Sequence, residues 1–381
     1  MSAKFHWFLP TAGDSRSLAV GTHGTHGPGR RAEPACEGGT DRFRAPDMGY
    51  LGLVARAAEQ LGFEAVLTPT GTWFEDAWLT TAALLHETER LKFLVAFRPG
   101  LVSPTLSAQM AATFQRLSEG RLLLNVVAGG ESAEQARFGD HLPKEQRYAR
   151  AGEFLTVLRG AWNGTPFDFK GGYYDVRGAT VSEPPDPLPA LYFGGSSGPA
   201  GPIAARHADV YLTWGEPPDR IAEKIAWIRK LADEEGRRVR FGIRFHVISR
   251  DSSAEARTVA QRLLNKMDPV QVRKVQNVLA GIESTGQARQ RALTEKFLSS
   301  RDATDLEIYP NIWAGVGLLR GGVGTALVGG HTEVADRIEE YAALGIEEFV
   351  LSGFPHLEEA YWVGEGVLPE LRRRGVAPAL P

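Results

Sequence analysis

Residues 240–250 read Arg-Phe-Gly-Ile-Arg-Phe-His-Val-Ile-Ser-Arg, a run rich in β-branched and aromatic residues that predicts a β-strand. Arg244 and His246 stand two positions apart, so their side chains leave such a strand on the same face. Arginine offers a planar fork of N–H donors to an anion, and histidine exchanges a proton near neutral pH. The stretch predicts either a strand with an anion-binding pair or a strand whose polar face simply meets water.

Seven further β-rich runs surround this one, separated by segments of helical periodicity. Most are nearly continuous apolar runs, as expected for strands buried on both faces of a parallel sheet. The predicted strands are Lys4–Pro10, Ala65–Thr70, Leu91–Arg98, Arg121–Ala128, Ala190–Gly195, Asp209–Trp214, Arg240–Ser249 and Glu348–Gly353. The predicted helices between them include Tyr50–Leu61, Trp78–Thr88, Thr105–Leu117, Arg220–Glu235 and Thr332–Leu344. This alternation predicts an α/β fold, the (β/α)8 TIM barrel, with a doubly wound open sheet as the alternative.

Three segments are longer than ordinary connections, at residues 11–47, 129–189 and 251–330. The second is predicted to hold a helix around Tyr148–Trp162 and a hairpin at Phe167–Tyr174. The third is predicted to hold two helices and a glycine-rich loop, with a lid around residues 281–330. We expect one barrel domain over residues 1–381, with these segments as insertions that build or cover the active site.

The composition excludes several classes of function. The chain has 381 residues and a net charge of −3, without a block of consecutive Lys or Arg, which disfavours nucleic acid and anionic membranes as partners. Cys36 is the only cysteine, and with His23 and His26 nearby it lacks a second cluster, so no metal is expected. No secretory signal or membrane-length apolar run occurs, and a soluble cytoplasmic protein is expected.

Polar side chains collect where the predicted strands end, which is where barrel enzymes place their active sites. They include Arg98, Asn125, Gly194–Ser197, Thr213–Glu216, Arg244, His246 and Ser352–His356. Gly194-Gly-Ser-Ser197 could cradle a phosphate with bare N–H groups and two hydroxyls, or could be an ordinary turn. Residues 320–330 contain five glycines after Arg320, which predicts a lid or a flexible surface loop. Neither G-x-G-x-x-G after the first strand nor a P-loop motif occurs.

Strings of residues along nearly the whole chain resemble the flavin-dependent alkanesulfonate monooxygenases, a family of the bacterial-luciferase-like superfamily. They are Phe5-His-Trp-Phe-Leu-Pro-Thr, Val66-Leu-Thr-Pro-Thr-Gly, Leu191-Tyr-Phe-Gly-Gly-Ser-Ser, Tyr211-Leu-Thr-Trp-Gly-Glu-Pro-Pro, Arg240–Ile248, Asn311-Ile-Trp-Ala-Gly-Val-Gly-Leu, Gly324-Thr-Ala-Leu-Val-Gly and Pro355-His-Leu-Glu-Glu-Ala-Tyr. Only the insertion at residues 11–47 falls outside the resemblance. The resemblance implies a luciferase-like TIM barrel.

The resemblance also implies a reaction and its partners. Reduced FMN (FMNH2) would come from a separate NAD(P)H-dependent FMN reductase, and O2 would be the co-substrate. An organosulfonate would be oxidised to an aldehyde with release of sulfite. A homodimer or homotetramer is implied as well.

The resemblance assigns residues to these roles. Those implied to bind FMN are Asn125, Ala128, Tyr148, Gly195, Ser196 and Ser197. Those implied to bind or act on the sulfonate are Trp214, Arg244, His246, Arg320 and His356, with Arg244, His246 and Arg320 as the catalytic group. A sulfonate keeps its charge at physiological pH, so several donors are needed to replace its hydration.

Three positions depart from the family pattern. A histidine, a cysteine and a tyrosine of the family are Ala12, Phe74 and Phe354 here, and Trp73 is expected to make the same wall more aromatic. Phe74 and Phe354 are expected to contact the substrate. The departures indicate a differently held substrate: a longer alkanesulfonate, an aromatic sulfonate or, less favoured because it needs hydrogen bonds, the sugar sulfonate sulfoquinovose.

Two other functions stay open at this point. One is a luciferase-like flavin or deazaflavin oxidoreductase that acts on a substrate without a sulfonate, which the retained Arg244, His246 and Arg320 disfavour. The other is a non-catalytic protein that binds flavin or sulfonate.

Overall fold

The computed structural model describes residues 2–18 and 43–380. His23, His26, Cys36 and most of the first insertion lie outside the described residues. The strands are β1 Lys4–Phe8, β2 Ala65–Thr68, β3 Lys92–Phe97, β4 Leu122–Val126, β5 Phe167–Lys170, β6 Asp175–Ala179, β7 Leu191–Phe193, β8 Val210–Trp214, β9 Arg240–Arg250, β10 Glu307–Tyr309, β11 Ile312–Trp313, β12 Ala326–Gly330 and β13 Ile346–Ser352.

Helices follow most of the strands, and several begin at a side chain that caps their free N–H groups. Asp47, for example, accepts the N–H of Tyr50 at 2.9 Å. The helices are α1 Met48–Leu61, α2 Ala77–Leu84, α3 Pro104–Leu117, α4 Ser132–Arg137, α5 Lys144–Ala161, α6 Ala200–His207, α7 Pro218–Glu234, α8 Ser253–Asn265, α9 Pro269–Ala280, α10 Thr285–Thr294, α11 His331–Ala343, α12 His356–Trp362 and α13 Leu368–Arg373.

Eight parallel strands close into a barrel in the order β1, β2, β3, β4, β7, β8, β9 and β13. The ring is closed by β13 and β1, where Lys4 lies opposite Glu348. Each of these strands lies within or overlaps one of the runs predicted from the sequence. The predicted (β/α)8 barrel is confirmed, and the open-sheet alternative is wrong.

Strand β9 changes its neighbouring strand at Arg244 and His246. Its first half pairs with β8 as far as Trp214 opposite Arg244. Its second half pairs with β12, starting with Ala326 opposite His246. The ends of β8 and β12 therefore meet beside these two residues, and the loop before β12 lies at the mouth of the barrel.

The inserted segments differ from their predictions in two respects. The third holds three helices, α8, α9 and α10, and the short strands β10, β11 and β12, rather than two helices and a loop. Half of the glycine-rich run is the buried strand β12, so the prediction of a loop over residues 320–330 is wrong for residues 326–330. In the second, the hairpin β5–β6 ends at Ala179 rather than at Tyr174.

A buried carboxylate lies inside the barrel at its amino-terminal end. Glu348 accepts a hydrogen bond from His6 at 2.9 Å and is also bonded by Tyr192 and Arg240. Burial opposes the ionisation of Glu348, but the bond from His6 and the charge of Arg240 hold its pKa at about 2. This end of the barrel therefore contains a charge that is matched by its partners.

Candidate active site

A cavity of about 360 Å³ opens at the carboxyl ends of the barrel strands. Every residue predicted to bind FMN or substrate, or to act on the substrate, lines this one cavity. These residues are Phe74, Asn125, Ala128, Tyr148, Gly195, Ser196, Ser197, Trp214, Arg244, His246, Arg320, Phe354 and His356. Their individual roles stay predictions, but the structure brings them together from six barrel strands and the third insertion.

Arg244 is the cation at the centre of one wall. Its guanidinium carbon lies 4.3 Å from the ring centroid of Phe8. No carboxylate of the described residues pairs with it, and its Nε atom is buried without a hydrogen-bond partner. Burial, together with the nearby charge of Arg320, lowers its pKa to about 10. The site thus pays a desolvation penalty for a cation that has no counter-ion within the described chain.

Arg320 reaches the same cavity from the loop before β12. Its guanidinium carbon lies 4.8 Å from the ring centroid of Phe354. Burial lowers its pKa to about 10 as well. The two guanidinium groups thus lie over two phenylalanine rings, Phe8 and Phe354, in cation–π contacts.

His246 is held in its neutral form. Burial and the charge of Arg244 keep its pKa well below the ordinary value of 6.5. Its Nδ1 atom lies 2.8 Å from the hydroxyl oxygen of Ser352. A neutral imidazole accepts at one nitrogen and donates at the other, so Ser352 can decide which nitrogen carries the proton.

His356 has an anionic neighbour instead. Its Nδ1 atom lies 2.9 Å from Oδ1 of Asp14, and its backbone N–H donates to Oδ2 at 2.7 Å. The backbone carbonyl of His356 accepts the indole N–H of Trp7 at 3.1 Å. Both the ring and the backbone of His356 are thereby fixed.

The turn after β7 lines the cavity with small residues that let the backbone approach a ligand. A Cβ atom at Gly194 would lie 2.4 Å from the carbonyl oxygen of Leu212, and one at Gly195 would lie 2.7 Å from Cβ of Ala200. The hydroxyl oxygen of the nearby Ser197 is buried without a hydrogen-bond partner. These residues precede α6, whose first N–H groups face the same turn.

Asn125 and the turn after β4, the strand next to β7 in the barrel, also line the cavity. Gly129 has φ +84°, and a Cβ atom there would lie 2.3 Å from the amide of Gln135. The turn therefore requires glycine, which leaves its backbone open to the cavity. Arg98, which ends β3, is paired with the buried Glu134, unlike Arg244.

The third insertion covers the cavity through two glutamines of α10. Gln287 accepts the N–H of Gly322 at 2.8 Å. Gln290 accepts the N–H of Gly324 at 2.9 Å and donates to the carbonyl of Gly215 at 2.9 Å. The helix, the glycine-rich loop and the end of β8 are thus joined over the mouth of the barrel.

Two departures from the family pattern line the cavity as aromatic rings. The ring of Phe354 lies 5.2 Å from that of His246 and 5.0 Å from that of His356. Phe74 and Ala12 are also among the lining residues. Trp73 is not, contrary to expectation, because its ring packs 4.5 Å from the guanidinium carbon of Arg137 instead.

Several residues of the site were missed in the sequence. Asp14 carries no motif, and its contact with His356 spans 342 positions. Phe8 was counted only as a strand residue, although its ring faces Arg244. Ser352 was noted at a strand end without a role, and only the closeness of two strand ends links it to His246.

Other features of the described chain add constraints. Within residues 2–18 and 43–380, no group of three or more His, Cys, Asp or Glu side chains is arranged to hold a metal ion. No helix in the same ranges has the length and apolar character that crossing a bilayer requires.

Solved structures with the same fold include several enzymes. Riboflavin lyase RcaE, with modified FMN and its substrate riboflavin, is 20% identical over 99% of this chain and 93% of its own, with a TM-score of 0.77. EDTA monooxygenase EmoA from Chelativorans sp. BNC1 is 20% identical over 99% and 95%, with a TM-score of 0.75. DmoA from Hyphomicrobium sulfonivorans is 20% identical over 99% and 89%, with a TM-score of 0.76.

These identities establish a shared fold and leave the reaction open. The sequence model of the luciferase-like monooxygenases matches residues 4–348, which is most of the chain. This protein therefore belongs to the luciferase-like monooxygenase family.

Proposed function

We propose that this protein is an FMNH2-dependent monooxygenase that uses O2 to desulfonate an organosulfonate, with release of sulfite and an aldehyde. The observation that carries the proposal is the unmatched charge of Arg244, which lies in the cavity beside a second guanidinium, that of Arg320. A permanently charged oxyanion would match the charge of Arg244. Three sulfonate oxygens can accept N–H groups from both arginines.

The glycine-rich wall fits the phosphate of FMN. A Cβ atom at Gly194 or Gly195 would clash with Leu212 or Ala200, so this close-packed turn needs glycine, and the buried hydroxyl of Ser197 has no partner of its own. Tyr148 lies beside this turn, where the hydroxyl oxygen would be 3.3 Å from a Cβ at Gly195. We assign phosphate binding to Gly195, Ser196, Ser197 and Tyr148, and contact with the flavin ring to Asn125 and Ala128.

The flavin, when bound and reduced, supplies the electrons that activate O2. The chain itself supplies binding and exclusion of water. Arg244 and Arg320 orient the sulfonate, Trp214 packs against Gly286 of the covering segment, and the bonds of Gln287 and Gln290 hold that segment over the site. Keeping water out strengthens every charge interaction with the substrate.

The cavity favours a sulfonate with a bulky apolar group. Phe8, Phe74, Trp214 and Phe354 surround it, and the family's cysteine and tyrosine hydroxyl are replaced at two of these positions. An apolar wall offers no acceptors or donors to sugar hydroxyls, so sulfoquinovose would lose hydrogen bonds on binding. We propose a long-chain or arylalkyl sulfonate as the substrate.

The proposed reaction also needs a source of reduced FMN. A separate NAD(P)H-dependent FMN reductase would supply reduced FMN. EDTA monooxygenase, one of the structures of the same fold, acts on a polycarboxylate according to its name, and carboxylates are therefore the anions to compare.

The experiment is sulfite release from a panel of anions. The purified protein is supplied with reduced FMN, O2 and one anion at a time. The anions are alkanesulfonates of increasing length, 2-phenylethanesulfonate, sulfoquinovose and EDTA. Sulfite is expected from the long and arylalkyl sulfonates, with weaker release from the sugar. Absence of sulfite with all sulfonates, while FMN binds, contradicts the proposal, and oxidation of EDTA alone would replace the substrate class by polycarboxylates.

A further inference from the structure

The two cavity histidines are held in opposite ways. His246 faces Arg244, and a hydroxyl group, that of Ser352, contacts its Nδ1 atom. His356 faces the carboxylate of Asp14, which contacts its ring and its backbone N–H. Positive neighbours favour the neutral form of a histidine, and a carboxylate favours the charged form. Of the two histidines, His356 is therefore the one that lies beside an anion.

The carboxylate also decides which nitrogen of His356 faces the reaction. An ionised carboxylate only accepts hydrogen bonds, so Nδ1 of His356 carries a hydrogen. No group of the described chain bonds its Nε2 atom, and the residue lines the cavity. Nε2 is thus the nitrogen available to substrate, in the orientation that an Asp–His pair gives to a general base.

Asp14 is itself held as an anion. Burial opposes its ionisation, but the contacts with His356 and a hydrogen bond from Tyr50 keep its pKa below the ordinary value of 3.8. The Tyr50 hydroxyl accepts an N–H of Arg44 at 3.4 Å, and Arg44 is paired with Glu358. The carboxylate is fixed by a chain of contacts that extends to the surface of the protein.

We propose that His356 is the base that accepts the proton released during desulfonation, and that Asp14 is the positioning residue that orients it. This inference rests on the proposed function. One alkanesulfonate, one O2 and one reduced FMN give one aldehyde, one sulfite, one oxidised FMN, one water and one proton. The carbon–sulfur bond breaks and the carbon loses a hydrogen as a proton. Substrate and flavin each contribute two electrons to O2, whose atoms enter the aldehyde and water.

The other arginine and histidine side chains of the cavity are poor acceptors for this proton. Arg244 and Arg320 are already cations, and the charge of Arg244 opposes protonation of His246. Nε2 of His356 accepts the proton from the carbon that loses sulfite, and the resulting imidazolium is stabilised by the carboxylate of Asp14. Protonated His356 and ionised Asp14 then form a buried ion pair.

The test compares the full-length wild type with the variants Asp14→Asn, His356→Gln, the double variant and Tyr50→Phe. Tyr50→Phe is the matched control because it removes one hydrogen bond to Asp14 but leaves the carboxylate beside His356. Turnover of 2-phenylethanesulfonate or the best sulfonate of the panel is measured against pH. Binding of the same sulfonate to the oxidised FMN complex is measured separately.

We expect Asp14→Asn and His356→Gln each to lower kcat by about 100-fold or more, the usual contribution of a general base. The double variant is expected to match the worse single variant, because the two residues act as one unit. KM and sulfonate binding change little. The pH profile of kcat is expected to change in Asp14→Asn, which removes the carboxylate from the ring, and to stay in place in Tyr50→Phe.

A second readout needs no substrate. In proton NMR spectra, a low-field ring N–H signal is expected from the pair in the wild type and Tyr50→Phe, and not in Asp14→Asn or His356→Gln. If the wild type releases sulfite and both single variants keep a near-normal kcat, the base assignment alone is overturned. The same holds if the loss of kcat in the double variant is the product of the two single losses. If the wild type releases no sulfite from any sulfonate, the proposed function is overturned. The base assignment then falls with it, even if the N–H signal is present.

Discussion

Each end of the barrel contains a buried charged group, but the two groups differ in whether an oppositely charged side chain of the described residues pairs with them. At the amino-terminal end, Glu348 is bonded by His6, Tyr192 and Arg240, and its pKa is about 2. At the carboxyl end, Arg244 has no carboxylate partner among the described residues, and burial lowers its pKa to about 10. A group stabilised in its charged form contributes to folding, whereas a group destabilised in that form is maintained at a cost.

The same contrast is found between two arginines of strand β9. Arg240 and Arg244 both belong to β9 and lie four residues apart, yet of these two only Arg240 pairs with a carboxylate of the described residues. Proteins tolerate unmatched buried charge mainly where a ligand completes it. The amino-terminal end is therefore expected to respond in stability, and the carboxyl end in activity.

The largest expected effect is that of Arg244→Ala on turnover. Loss of a desolvated cation that binds the substrate anion should lower kcat/KM by about 1,000-fold, within the range of about 2–5 kcal/mol for such groups. FMN affinity should stay near that of the wild type, and thermal stability should stay equal or rise, because an unmatched charge is removed. Steady-state sulfite release, flavin titration and the melting temperature check these expectations.

The matched control is Arg240→Ala at the other end of β9. It should lower stability while sulfite release per folded molecule stays near the wild-type value. If both arginine variants lose activity equally, the contrast between the two ends is wrong.

The next largest effect concerns Glu348 and is measured by stability against pH. The folded pKa of about 2 is below the ordinary value of 4.5, so the contribution is complete above pH 4.5 and is lost as pH falls towards 2. Its size is on the order of 3 kcal/mol. Glu348→Gln should lower the free energy of unfolding at neutral pH by a similar amount and flatten its decrease below pH 4.5. Urea unfolding at several pH values provides the measurement, and an unchanged slope would contradict the assigned role.

A smaller effect is expected from Gln290→Ala, which removes the bonds to Gly215 and Gly324. The covering segment should open more often, since each lost buried hydrogen bond costs roughly 1–3 kcal/mol. Water then reaches the site, and oxygen consumption should exceed sulfite release several-fold. The ratio of the two rates is the measurement. Gln261→Ala, which alters a glutamine of α8 outside this cavity, is the control and should leave the ratio unchanged.

The smallest effect is expected from Phe354→Tyr, which returns a hydroxyl to the aromatic wall. We expect a few-fold shift in kcat/KM from arylalkyl sulfonates towards shorter ones, because one polar group in an apolar pocket changes discrimination modestly. The panel of sulfonates measures it. A shift in the opposite direction would show that Phe354 does not contact the apolar part of the substrate.

Most of the barrel was predictable because its strands are buried on both faces and appear as short apolar runs. The strands β10, β11 and β12 were not, since they are two to five residues long and β12 contains glycines that also suit a loop. Their pairing depends on the length of β9, whose second half extends beyond β8. That length is a property of the assembled sheet.

The cavity was predictable where residues stand at strand ends. Arg244 and His246 were found from their spacing on one strand, and both line the cavity. Asp14 was not found, because a single aspartate near a turn has no pattern and its partner is far away in the chain. Contacts between distant segments depend on the closed barrel and have no local signal.

The affinity for a sulfonate measures whether Arg244 binds an anionic substrate. Isothermal titration of the FMN-loaded protein compares 2-phenylethanesulfonate with the neutral methyl sulfone of the same carbon chain, in the wild type and in Arg244→Ala. We expect the wild type to bind the sulfonate at least about tenfold more tightly than the sulfone, a difference of about 1.4 kcal/mol, and Arg244→Ala to abolish this preference. Equal affinity of the wild type for the two compounds, or an unchanged preference in the variant, would contradict this expectation.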